Sequence, residues 1–428
     1  MKTVLPFLAA GILIASGGLA YVTLGQISNA APENLLAGDD KPGFRAEWIA
    51  QGGDLNASGY VPGKLGDQRF GDAAWTFSVT GMRAPSDFVV SGGKAYFFAP
   101  TKNRNGVELN GIVAVDVATG KTDWAWNDRA GYCLIGINKG YLYAIVGEEQ
   151  TRQLISVALK DGKAKWRKDL QSVGKDSFLT SKGGLWYDGN FHLSSFEKGD
   201  AAWDAMPMLI PDIAFAVTGE DICLVGSAPG KGVQMALING KSGKDISSFT
   251  LPDGPRGGSS AGIWCSGGKF IYGSRGDELV CADPKKGALT VRKTGIFPSR
   301  PAYTANTVYA FDGGLLRSFK PDTLDQIAEF DATSVKAPPE GRKVTPMFGQ
   351  PVVTDDCVFA GTENSTLVLS RDKLTVLQEI SSGTLPVVAG NALFTWKPVD
   401  ANLQLENGPT LVASKWTLSC HLMRAETK

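Results

Sequence analysis

Side chains able to do chemistry are sparse in this 428-residue chain, and histidine is the scarcest, with only His192 and His421. His421 lies downstream of Gly258-Ser259-Ser260-Ala261-Gly262 with acids between, the order in which a hydrolase carries its nucleophile elbow, acid and base. That elbow needs a strand, a sharp turn and a helix, whereas here it runs straight into the strand-like Ile263-Trp264-Cys265, so we read a Gly/Ser loop. Ser91-Gly92-Gly93-Lys94 and Ser266-Gly267-Gly268-Lys269 have S-x-x-K spacing, but they recur at equivalent places and read as turns. Gly226-Ser227-Ala228-Pro229-Gly230-Lys231-Gly232 is one residue short of a phosphate loop and lacks the hydroxyl after the lysine, which leaves a glycine hairpin. Arg275-Gly276-Asp277 matches an adhesion tripeptide and is expected in an exposed hairpin, where a three-residue match has little weight. His192 and His421 sit in strand patterns and read as hydrogen-bonded structural residues. Cys420 beside His421 would need metal partners from elsewhere, and none is evident. The acidic pairs Glu148-Glu149 and Asp355-Asp356 fall at turns and read as solvated charge. No catalytic residue and no metal ligand is assigned.

The six cysteines (133, 223, 265, 281, 357 and 420) are scattered, with no CxxC and no adjacent pair. Most lie in apolar strand patterns such as Ile222-Cys223-Leu224-Val225, so they read as buried thiols rather than a disulfide scaffold. Residues 1–30 read as a secretory signal: Lys2, an uncharged run from Val4 to Ile27, and the small-residue end Ser28-Asn29-Ala30-Ala31. The alternative is an uncleaved membrane anchor, since a run of that length can span a bilayer. Either reading sends the rest of the chain across a membrane and predicts a periplasmic or secreted protein.

These residues must be positioned by elements, and the glycine content says which. There are 52 glycines, 52/428 or about 12%, without collagen periodicity, which predicts many tight turns and many short strands. Self-similarity organises them. Gly111-Ile112-Val113-Ala114-Val115-Asp116 leads to Thr119-Gly120-Lys121 and Trp124. The order returns as Leu154-Ile155-Ser156-Val157, Asp161-Gly162-Lys163 and Trp166, then as Leu193-Ser194-Ser195-Phe196, Lys198-Gly199 and Trp203. In each copy the glycine precedes the tryptophan by four residues. Later copies lose the tryptophan but keep the rhythm, and taking its equivalents as 124, 166, 203, 247, 291, 327, 377 and 418 gives a mean spacing of (418 − 124)/7 = 42 residues. A period of that size with about four alternating strands per unit predicts an all-β, eight-bladed β-propeller of four-stranded antiparallel blades, with seven blades as the alternative. The glycine supplies the hairpin between the third and fourth strands, and the tryptophan fills the wedge between blades. Trp75-Thr76-Phe77-Ser78-Val79 is a lone copy of the outer strand. It is expected to close the ring on the C-terminal blade, whose own three strands come from about 386–424, with Thr410-Leu411-Val412-Ala413 in the last of them. Residues 31–67 read as a non-repetitive leader and 68–428 as the propeller.

The pattern Ala114-x-Asp116-x-x-Thr119-Gly120-Lys121-x-x-Trp124 resembles the pyrroloquinoline-quinone-type (PQQ-like) propeller repeat, and Ala282-Asp283-Pro284-Lys285-Lys286-Gly287 resembles its centre. The leader Trp48-Ile49-Ala50-Gln51-Gly52-Gly53 through Ser58-Gly59 resembles the Trp/Gly-rich segment before such propellers in exported bacterial proteins. The resemblance implies an eight-bladed fold and a bacterial, periplasmic setting. Its quinoprotein dehydrogenases hold PQQ and calcium beside an adjacent-cysteine disulfide, and this chain has no adjacent cysteines. Its non-catalytic members include the propeller subunit of the outer-membrane β-barrel assembly machinery.

Charge points the same way. The 43 Lys+Arg balance 43 Asp+Glu, which argues against nucleic acid as a partner and for proteins. The expected function is a non-enzymatic periplasmic scaffold for protein partners, possessing no PQQ or calcium site and touching membrane only through the N-terminal segment if it is uncleaved. The alternatives are a quinoprotein-like oxidoreductase and a carbohydrate or small-ligand binder using Trp48, Trp186 or Trp396 as exposed platforms.

Overall fold

The computed structural model describes residues 43–44, 47–48, 50, 54, 58–80, 87–103, 105–148, 151–170, 178–179, 184–187, 190–194, 201–205, 210–216, 221–228, 232–239, 242, 244–253, 263–267, 269–338, 340–399, 402–404, 410–412 and 415–425. For 43–44, 178–179, 184–187, 190–194, 201–205, 210–216, 227–228, 263, 402–404 and 410–412 the description is of the backbone. The signal reading of residues 1–30 and the Gly258–Gly262 loop lie outside the described residues.

Among the described residues the chain forms eight four-stranded antiparallel sheets. Seven are meanders in chain order, the first built from Phe88–Ser91, Lys94–Lys102, Glu108–Asp116 and Thr122–Trp126. The first strand of each sheet packs against the first strand of the next, which makes it the inner strand of a ring. Fourth strands read alternately, as in Ala164–Asp169 and Ala288–Phe297, while the second strand Cys357–Thr362 is buried along its length. This is the gradient a propeller requires, with strands covered on both faces near the axis and one wet face outside.

The eighth sheet joins the two ends of the propeller. Its order is Thr384–Ala389, Ala392–Pro398, Lys415–Ala425 and then Gln68–Thr80, so the lone outer strand does close onto the C-terminal strands. Trp75 faces Cys420 and Val79 faces Trp416 in this register. Phe88 of the first sheet then packs on Phe394 and Trp396 of the eighth, with ring centroids 4.9 and 5.0 Å away. The propeller fold is thereby established.

One strand assignment changes. Thr410–Val412 pairs with Asn402–Gln404 as a separate hairpin, and the third strand of the last sheet is Lys415–Ala425. Asn407-Gly408 lies between the two short strands, the dipeptide that favours a tight hairpin of its own. Leu418 is therefore on the third strand, and the outer position belongs to Trp75.

The tryptophan wedge has a definite geometry. The Trp75 indole N–H donates to the Val117 carbonyl at 2.8 Å, and a Cβ on Gly120 would lie 2.5 Å from the ring. Trp124 repeats this one sheet further on, donating to Leu159 at 2.9 Å and lying 2.6 Å from a Cβ on Gly162. The glycine of each hairpin thus makes room for the tryptophan of the preceding sheet, not its own. Ser247 stands at the equivalent position and donates its hydroxyl to Pro284, so the bond survives where the ring is lost.

Candidate functional site

The leader is the first candidate. Trp48 exchanges backbone hydrogen bonds with Val90 at 2.8 and 2.9 Å on the inner strand of the first sheet, and Ala50 bridges Gly136 on that of the second. The Ser58 carbonyl accepts from Tyr303 at 2.7 Å in the sixth sheet, and Val61 N–H donates to Val353 at 2.8 Å in the seventh. Trp48 and Ala50 therefore meet the inner edges of the first two sheets, and Ser58 and Val61 those of the sixth and seventh. All four contacts fall toward the hairpins joining first and second strands. The opposite end of the propeller, with the hairpins joining second and third strands, is the one away from these contacts.

Asp355 and Asp356 fasten the leader there. Asp355 accepts from the Tyr60 hydroxyl and from Gly63 N–H at 3.0 Å, while Asp356 accepts from Leu65 N–H at 3.0 Å and Gly66 N–H at 2.8 Å. This overturns the reading of that pair as solvated charge: both side chains are half-buried and hold backbone donors of the leader. No local signal in the sequence marked the pair, because the donors they hold lie about 290 positions earlier in the chain. Glu148 of the other acidic pair is exposed in a turn, its carbonyl accepting from Thr151 N–H at 2.8 Å, and Glu149 lies outside the described residues.

The remaining sequence candidates separate cleanly. Ser91 and Lys94 flank the hairpin between first and second strands, and Lys94 pairs with Asp123. Ser266 and Lys269 occupy the equivalent hairpin of the fifth sheet. Gly226 and Gly232 belong to paired strands, as a hairpin requires. His192 lies in the strand Asn190–Ser194.

Arg275 is not displayed. Its side chain is 1% exposed and is held by Glu278 at 2.6 Å and by the Pro252 carbonyl at 2.8 Å. Glu278, itself fully buried, binds Arg292 with its other oxygen at 2.6 Å. A buried carboxylate needs such cationic partners, and that need turns the arginine of the tripeptide inward. Trp48 and Trp396 are likewise corrected: they are 2% and 0% exposed, packed into the core shared by the leader and the first, seventh and eighth sheets, and offer no platform to a sugar. Trp186 lies in the strand Gly184–Tyr187.

All six cysteines are buried free thiols. Burial pushes Cys265 and Cys420 up to about 12 and raises Cys223, Cys281 and Cys357 as well, which opposes the thiolate a nucleophile or metal ligand needs. Among the described residues no three His, Cys, Asp or Glu converge as a metal site.

His421 has the most specific surroundings of any candidate. It is 2% exposed on the third strand of the eighth sheet; its Nδ1 lies 3.0 Å from the Gly71 carbonyl and its Nε2 2.7 Å from Ser382 Oγ. Sequence order had paired His421 with the Gly258–Gly262 loop. The structure brings it instead to Ser382, in the connection between the seventh and eighth sheets.

An exposed apolar cluster marks the end opposite the leader contacts. Ile296, Val335 and Val344 are 45%, 40% and 44% exposed. They gather around the hairpin after Asp312: Gly313 N–H donates to Ile296 at 2.9 Å, Val344 would touch a Cβ on Gly314, and Val335 follows Ala332, which bonds Gly314.

No protein-family model matches the chain, and no curated protein matches it. Among solved structures it is similar to BamB from Moraxella catarrhalis, at 12% identity and TM-score 0.55 over 83% of this chain and 100% of that one. It is also similar to a europium-containing methanol dehydrogenase, at 11% identity and TM-score 0.59 over 90% of this chain and 98% of that one. Among the described residues no helix is long and apolar enough to cross a membrane. At these identities the likeness is one of fold: the chain is a β-propeller of the architecture seen in BamB and in methanol dehydrogenase, as its PQQ-like repeat led us to expect.

Proposed function

We propose that the protein is an interaction scaffold of the cell envelope, exported by residues 1–30, which binds other proteins through a rim of the propeller rather than converting a substrate in its axial channel. The observation that carries this reading is the Ile296–Val335–Val344 cluster, three exposed aliphatic side chains grouped around one hairpin. Water-facing aliphatics grouped in this way gain free energy when a partner covers them. Balanced charge suits a protein partner better than a polyanion. The fold likeness to BamB agrees with a role in assembly of outer-membrane proteins. The test is cross-linking in intact cells, purification and mass spectrometry, with Val344→Asp as the control, together with an absorbance scan. Envelope proteins captured by the native chain and lost in the variant support the scaffold. A stoichiometric quinone chromophore sinks it and favours the oxidoreductase.

A further inference from the structure

We propose that Ser382 and His421 form a nucleophile–base pair that accepts acyl groups from small carboxylic esters, at a site on the wall between the seventh and eighth sheets. A carbonyl oxygen can only accept a hydrogen bond, so the 3.0 Å contact with Gly71 fixes the proton on His421 Nδ1. In the neutral ring Nε2 then carries the lone pair, and the 2.7 Å contact makes Ser382 Oγ–H its donor. A hydroxyl, an imidazole acceptor and a third group orienting the imidazole are the elements of an activated serine. Burial lowers the His421 pKa, which keeps the ring neutral and able to take the proton, while the Asp72 charge favours the imidazolium once it forms.

The surrounding backbone is shaped to this end. The outer strand Gln68–Thr80 faces Lys415–Ala425 with two extra residues, 13 against 11, and the register breaks on both sides of Ala73, which itself pairs with His421. Those bulges turn the Gly71 carbonyl out of the ladder and onto the imidazole, a use to which bulges are put beside reacting groups. Arg424 lies against Gly71 closely enough that a Cβ there would come 3.0 Å from its Nε, which sets a guanidinium at the edge of the site. Ser382 is half-buried, and the neighbouring Ser381 is exposed, so the pair opens to solvent from the serine side.

In the reaction Ser382 Oγ attacks the ester carbonyl carbon. The Oγ–C bond forms, the C–O bond to the alcohol breaks, and the serine proton passes through His421 Nε2 to the leaving alkoxide. Water then cleaves the acyl-serine by the same route to a carboxylic acid, restoring both residues. The pair lies away from the apolar rim, so it stands or falls independently of the scaffold reading.

The experiment uses an alkyl fluorophosphonate on the full-length protein, where the Oγ–P bond forms as fluoride leaves, with adducts located by peptide mass spectrometry. The expected result is an adduct on Ser382, unchanged in Ser381→Ala, lost in Ser382→Ala, and formed at least about 100-fold more slowly in His421→Gln. Hydrolysis of p-nitrophenyl acetate should fall in the same order. Absence of an adduct at Ser382 in the native chain overturns the proposal, as does equal labelling of Ser381 and Ser382. A His421→Gln variant that folds and labels at the native rate also overturns it. If that variant does not fold, the two serine variants still decide.

Discussion

At the scale of single residues, His421 ties stability to pH. Burial pushes its pKa below the ordinary value near 6.5, against the smaller upward pulls of the Gly71 bond and the Asp72 charge. Unfolded chains therefore bind the proton at a pH where folded chains do not. Stability is complete above about 6.5 and is lost as pH falls from there through the folded-state pKa. Urea titrations at a series of pH values should show the midpoint falling on acidification through that window, and His421→Gln should remove its share of the slope. An unchanged slope in the variant would place the acid sensitivity elsewhere. The buried thiols give a second expectation. Cys265 and Cys420 are pushed up to about 12 and all six are enclosed, so a disulfide reagent should modify the native chain slowly and titrate six thiols in urea. Fast modification of a native thiol would contradict that enclosure. Asp355 and Asp356 are the residues whose loss should free the leader. Each accepts more than one donor, and removing a charged acceptor costs about 1–3 kcal/mol. Asp356→Ala should accordingly speed proteolysis within residues 58–66 while leaving the sheets protected.

At the scale of elements, the glycine hairpins can be tested with an internal control. Gly140 and Gly162 both have positive φ, +81° and +69°, so alanine meets backbone strain of about 1 kcal/mol at either. A Cβ on Gly140 meets nothing within 4 Å, whereas one on Gly162 would lie 2.6 Å from the Trp124 ring. Gly162→Ala should thus cost about 1–3 kcal/mol more than Gly140→Ala, the usual penalty of overpacking, read as a difference in chemical-denaturation midpoints. Equal costs would mean that the wedge is soft. This contact also marks how far the sequence could be read. The four-residue spacing from Gly162 to Trp166 is plain in the sequence, and it gave the hairpin, the strand and the repeat. The partner of Gly162 is Trp124, one repeat earlier, because the wedge acts between sheets, and a spacing within one repeat cannot display a contact between two. The same limit hid the leader. Asp355 and Asp356 lie about 290 positions from the donors they hold, and nothing local distinguishes them from acids facing water. Arg275 was misread for a related reason: its inward turn depends on Glu278, whose burial only the assembled fifth sheet creates. His421 was recognised as a candidate, yet its partner Ser382 belongs to no motif and reaches it only because two sheets pack together.

At the scale of the whole molecule, the ring depends on one sheet made from both ends of the propeller. Gln68–Thr80 contributes the outer strand, and Lys415–Ala425 lies between it and Ala392–Pro398. The lone Trp75–Val79 segment made this closure legible before the structure, because an unmatched fourth strand at one end predicts an unmatched third strand at the other. Without the outer strand, Lys415–Ala425 would expose a long, largely apolar edge with unpaired backbone donors, which invites pairing with a second chain. Trp75 would also be missing from the Gly120 hairpin, so the first sheet would lose its wedge at the same time. A chain beginning at residue 81 is therefore expected to associate or precipitate, with a lowered thermal midpoint, and a synthetic peptide of residues 68–80 added in trans should restore a monomer. Size-exclusion chromatography with in-line light scattering reads both states. A truncated chain that remains monomeric with its thermal midpoint unchanged would show that the sheets hold each other without the closing strand. In that case the ring's stability would have to come from contacts between successive inner strands, which link the first sheet through to the eighth without the closing strand.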